Sequence, residues 1–180
     1  PLRSAKAKLE YVCGGEEETY CPKFTFMGFR YAELCGIEPE NVKVRMKVIS
    51  SIDEETGDFF CSNESINRLQ KNIRYSGFSN FLEIPTDCPQ RDERCGYTGD
   101  GQFFMPTGLY NMDLAAFNSK WIRDICQDSF RREGYFADHA PDFGAGTRNV
   151  GWQEAGVICP YLQYRCYGDT DILAENYEAM

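Results

Sequence analysis

One histidine stands in the 180 residues, at position 139, so any Ser/His/Asp or Cys/His nucleophilic system would have to be built around that single side chain. In its setting, ADHAPDF, His139 reads as a hydrogen-bonded loop residue instead. Basic residues are also scarce. With 19 Lys and Arg against 28 Asp and Glu, the formal net charge is -9. A chain of that sign lacks the Lys- and Arg-rich face that grips phosphates, so no nucleic-acid partner is expected. No run of about 18 apolar residues occurs, which excludes a membrane-spanning helix. The nine cysteines, at 13, 21, 35, 61, 88, 95, 126, 159 and 166, include no CxxC pair, so a zinc cluster is not expected, nor any other metal or cofactor. An odd set of unpaired thiols suits a reducing compartment, and the expected location is the cytoplasm. No signal peptide is visible; the chain starts at Pro1 rather than Met and reads as a piece of something longer. Oligomeric state has no signature.

What is present is enough for a globular core: 42% hydrophobic and 14% aromatic residues. The length suits one domain, or one domain with a piece of another. Apolar residues alternate in Lys23–Leu34 and in Asn41–Ser51, where Val42, Val44, Met46 and Val48 share one side, which predicts two antiparallel strands joined across Gly36–Glu40. Two strands do not stand alone in water. Residues 1–52 therefore read as the last strands of a β-sandwich, or as an edge laid on the following domain, and 53–180 as a second unit. After Asp58 the period becomes helical. Ser62 or Asn63 marks a cap, followed by Ile66, Leu69, Ile73 and Phe78 on one stripe. Further helices are predicted near 101–111, 113–130, 152–167 and 170–180, the 113–130 helix carried by Leu114, Phe117, Trp121, Ile122 and Ile125. Pro106 predicts a kink or a late start. The segments 83–100 and 131–151 are long loops, and in a helical domain such loops tend to carry function.

The first of them, IPTDCPQRDERCGYTGD, alternates acids and guanidinium groups: Asp87, Arg91, Asp92, Glu93, Arg94 and Asp100. A carboxylic acid set between carboxylates and a guanidinium suits acid catalysis on a polyhydroxylated substrate. Like charges from Asp87, Asp92 and Asp100 would raise the pKa of Glu93, and Arg91 and Arg94 would oppose them. Each residue has a plainer reading. Asp100 precedes a helix and suits an N-cap; Arg91 and Arg94 suit a loop-stapling network with Asp87 and Asp92; Trp121 and Trp152 suit the core. Calcium held by the carboxylates is a further reading, without EF-hand spacing.

The run NFLEIPTDCPQRDERCGYTGDGQ, followed by YNMD, KWIRD, GW and YGD, resembles the α-L-rhamnosidases of glycoside hydrolase family 78, as do CSNESINRLQKNIRYS and YCPKFTFMGFRYAEL before it. The resemblance covers nearly the whole chain. It implies a mainly α fold, an incomplete (α/α)6 barrel of six-hairpin type with four or five of a dozen helices, preceded by a few antiparallel strands of a β-sandwich. It implies hydrolysis of terminal α-L-rhamnosides with inversion. The family's DxxxRxExxxWxxD pattern falls on Asp87, Arg91, Glu93, Tyr97 and Asp100. Glu93 is then the general acid, with Asp87, Arg91, Tyr97, Asp100 and Trp152 binding the sugar. Tyr97 stands where the family has Trp, and Gln153–Glu154 replaces a Gly-Asp pair. An inverting enzyme needs a second carboxyl as base; the resemblance puts it beyond Met180, so the 180 residues alone are expected to be inactive. A binding module or degenerate homologue is the alternative that Tyr97 and Gln153–Glu154 leave open. The aglycone is not legible.

Overall fold

A computed structural model describes residues 4–131, 133–144 and 149–180. Its regular elements are five helices and one two-stranded hairpin: α1 (Glu64–Asn80), β1 (Phe81–Leu82), β2 (Ile84–Pro85), α2 (Thr98–Asn111), α3 (Ala115–Arg131), α4 (Ala155–Tyr167) and α5 (Thr170–Asn176). The strands expected at 23–34 and 41–51 form no ladder; that stretch is extended or irregular, with one 3-10 turn at Pro39–Asn41. The alternation is real, but Val44, Met46 and Val48 are all exposed. Extended chain becomes sheet only when a neighbour takes its N–H and C=O groups and buries one face.

The helices follow the sequence more closely. Asn63 caps α1, its side chain accepting from the Ser65 and Ile66 amides. The expected inward stripe of α1 is covered only in its second half: Ile66 and Leu69 are exposed and Ile73 is half-buried, while Gly77 lies against Met112 and Phe78 packs on the buried group formed by Ile52, Phe81, Met112, Leu114 and Phe117. Pro106 neither delays nor ends α2, which starts at Thr98. α4 starts at Ala155 rather than 152 because 150–154 form turns, with Glu154 Oε2 accepting from the Gly151 amide at 2.7 Å. α5 ends at Asn176. Its Ile172 is fully buried.

The larger core is built from α2, α3, α4 and α5. Trp121, Ile122, Ile125 and Cys126, one stripe of α3, meet Met105, Phe136, Ala155, Cys159 and Ile172. Gln163, buried in α4, ties the helices together by donating to the Ala115 carbonyl at 3.0 Å and the Ser119 hydroxyl at 3.2 Å. Trp121 also reaches the loops. Its indole Nε1 donates to the Ala140 carbonyl at 3.1 Å, and its ring lies so close over Gly101 that a Cβ there would collide with it. The expected core role of Trp121 is what the structure shows. Gly101→Ala therefore forces the ring to shift and is expected to destabilise by about 1–3 kcal/mol, read as a lower melting temperature; an unchanged value would contradict this packing.

Candidate active site

The loop between β2 and α2 is held from three sides. Toward the N-terminal segment, the Gly28 amide donates to the Pro89 carbonyl at 2.9 Å, and Arg94 donates from Nη1 to the Phe26 carbonyl at 2.8 Å while its guanidinium lies over the Phe26 ring. Within the loop, Arg94 Nε donates to the Arg91 carbonyl at 2.9 Å. Arg94 thus staples the loop through backbone carbonyls rather than through the carboxylates of the plainer reading. Toward the helical core, residues 96–98 pair with 138–140: Thr98 N donates to Asp138 O at 2.8 Å and Ala140 N to Gly96 O at 2.9 Å. Asp92 stays outside this frame, exposed and bonded to the Ser4 hydroxyl.

Inside the frame, one guanidinium nitrogen serves two acids. Arg91 Nη2 lies 3.2 Å from Asp87 Oδ2 and 3.3 Å from Glu93 Oε2. Both acids are sheltered, their side chains 7% and 20% exposed. Asp87 is fully engaged, since its Oδ1 accepts from the Cys95 amide at 3.0 Å. Charge-assisted bonds of this kind fix direction as well as energy. Tyr97 sits beside Glu93, and burial, followed by the charges of Cys95 and Glu93, pushes its phenol pKa up. Asp100 lies in the first turn of α2 rather than at its N-cap; Tyr97 holds the N-cap position without a side-chain bond. Desolvation raises the Asp100 pKa, and Asp87 and Glu93 add to it against backbone hydrogen bonding.

Asp87, Asp100 and Trp152 line one open hollow of about 520 Å3, together with Phe81, Phe103 and Phe104. Trp152 is partly buried and lies against Gly99, where an added Cβ would stand 2.7 Å from the ring. Gln102 Nε2, bonded to the Gly151 carbonyl, fixes the turn that carries it. Four of the six expected residues, Asp87, Arg91, Glu93 and Asp100, thus form one electrostatic group; Trp152 shares the hollow, and Tyr97 borders Glu93. The spacing did not single out Cys88, whose sulfur accepts from Arg91 Nε at 3.3 Å, or Gly99, which makes room for Trp152. A small residue next to an acid carries no periodic signal. Asp87, Cys88 and Glu93 also place ligand atoms within 4.8 Å of one another. Calcium wants about six to eight oxygens, whereas this group offers a sulfur and already holds the Arg91 cation, so it does not fit that ion.

The bacterial alpha-L-rhamnosidase 6 hairpin glycosidase domain matches residues 54–180. The chain belongs to the bacterial α-L-rhamnosidase family. The concanavalin-like domain of bacterial alpha-L-rhamnosidases matches residues 1–52. An alpha-L-rhamnosidase of Streptomyces avermitilis is 42% identical over 97% of this chain and 17% of its own length, and one of Formosa agariphila is 40% identical over 99% and 20%. The Streptomyces avermitilis enzyme complexed with L-rhamnose superposes with a TM-score of 0.66 at 40% identity, covering 70% of this chain and 12% of that one. The Aspergillus terreus enzyme gives 0.69 at 36%, covering 72% and 15%. The chain thus spans about a fifth of the curated rhamnosidases it matches. Its helices are part of a six-hairpin, (α/α)6 arrangement. No helix among the described residues is long and apolar enough to cross a membrane.

The raised carboxyl of Asp100 has a consequence for stability. A group whose folded pKa exceeds its unfolded one binds its proton more tightly when folded, so stability falls as pH rises from the unfolded value through the folded one. Asp100→Asn removes that loss. Its melting temperature relative to wild type is expected to improve as pH rises above about 4, the ordinary aspartate value; a difference that is constant with pH would contradict the shift.

Proposed function

We propose that the protein this chain belongs to is a glycoside hydrolase that removes terminal α-L-rhamnose with inversion, Glu93 acting as general acid. The observation that carries this reading is the Arg91 guanidinium shared by Asp87 and Glu93 beside a hollow that also takes Asp100 and Trp152. In this arrangement Glu93 protonates the glycosidic oxygen as the bond to the anomeric carbon breaks. Asp87 and Asp100 accept from sugar hydroxyls, Arg91 orients both acids, and Trp152 and Tyr97 offer aromatic walls to the apolar side of a 6-deoxy sugar. The related structure that holds L-rhamnose supports this choice of sugar.

Inversion needs a second carboxyl about 6.5–9.5 Å away, with a water between. Asp87 does not suit the role of base, because its ligand oxygen lies within 4.8 Å of that of Glu93 and its oxygens are taken by Arg91 and the Cys95 amide. The base is assigned, as the family resemblance implies, to a part of the protein outside these 180 residues, in line with the small share of its relatives' length that the chain spans. Nine unpaired thiols, with Cys126 and Cys159 used as core filler, support a cytoplasmic location.

Glu93→Gln in the full-length protein is expected to lower kcat on an aryl rhamnoside with a poor leaving group by at least about a hundredfold and to abolish the alkaline limb of the pH–rate profile, with rhamnose binding retained. Unchanged turnover would remove Glu93 from the mechanism. Rhamnose binding without turnover in the wild type would instead favour a degenerate, sugar-binding homologue. The isolated 180 residues are expected to release no nitrophenol from a nitrophenyl rhamnoside, and robust release would place the base within them.

A further inference from the structure

His139 is 3% exposed, and neither acid catalysis nor sugar binding as proposed above gives it a role. It faces Tyr97 in a one-residue antiparallel bridge between the loop before α2 and the loop after α3. The flanking bonds, Thr98 N to Asp138 O and Ala140 N to Gly96 O, make it the narrow kind of pair, in which two opposing side chains stand closest. The rings meet edge to face at 5.9 Å between centroids. On its other side the imidazole stacks on Phe143 at 4.2 Å, and Nδ1 lies 3.3 Å from the Pro141 carbonyl and 3.8 Å from Asp142 Oδ1. Nε2 is buried with no hydrogen-bond partner among the described residues. A buried unpartnered nitrogen costs stability that a phenyl ring would not. The bridge thus holds a flat ring, fixed on two sides, against Tyr97, which borders Glu93.

We propose that His139 is a positioning residue that sets the orientation of the Tyr97 ring and, through it, the width of the sugar site. The second half of this inference rests on the reading of Tyr97 as a wall of that site; the first half does not. Tyr97 is a partly buried phenol. An edge-to-face neighbour restricts it to one orientation.

Two readouts in the full-length protein separate these halves. A 19F resonance from 3-fluorotyrosine at position 97 reports ring environment whether or not sugar is turned over. His139→Ala is expected to shift or broaden that line, and His139→Phe, which keeps a flat ring on Phe143, to restore a single sharp line with a melting temperature no lower than wild type. With a nitrophenyl rhamnoside, His139→Ala is expected to raise KM about tenfold with kcat within about twofold. His139→Phe should recover KM, and His139→Ala combined with Tyr97→Ala should be no worse than Tyr97→Ala alone. An unmoved fluorine line in a folded His139→Ala protein overturns the proposal. So does a fall in kcat with KM unchanged, the mark of a merely structural residue. A moved line in a protein that neither binds nor hydrolyses rhamnosides would leave the positioning intact and sink the functional reading instead.

Discussion

The site depends on the Arg91 guanidinium standing between Asp87 and Glu93. Two carboxylates this close repel each other, and sheltered from water they do so strongly. A guanidinium that reaches both removes the repulsion and sets their directions. Arg91 is placed by its loop, which Arg94 fastens to the Phe26 segment and which the bridge at Tyr97 fastens to the core. Trp121 then ties that bridge to the packed helices through Ala140.

These linked supports explain why residues far from the acids are constrained. Gly101 is small because Trp121 lies over it, and Gly99 is small because Trp152 does. Both belong to the first turn of α2, which also carries Asp100, so one helix start brings the core tryptophan, the site tryptophan and an acid together. Overfilling either glycine would move an aromatic ring rather than a surface side chain.

Much of this is legible in the sequence. The helical period of α3, the cap at Asn63 and the alternation of acids with Arg91 each rest on local spacing. The family pattern groups Asp87, Arg91, Glu93 and Asp100 as the structure does. What is not legible depends on partners distant in sequence. Val44, Met46 and Val48 alternate like a strand but have no strand beside them among the described residues; Ile66 and Leu69 continue the stripe of Phe78 but nothing among the described residues covers them. His139 looks like an ordinary loop residue, since nothing near it in sequence reveals that Tyr97 lies across the bridge. Arg94 and Arg91 are three residues apart and of one type, yet one staples the loop and the other serves the acids.

The most direct test is a crystal structure of the full-length protein with an uncleaved rhamnoside analogue bound. The account predicts the bridging oxygen within hydrogen-bond distance of the Glu93 carboxyl, with sugar hydroxyls on Asp87 and Asp100 and Arg91 still between the two acids. A sugar seated elsewhere, or Glu93 turned away from the bridging oxygen while the ring occupies the hollow, would contradict it.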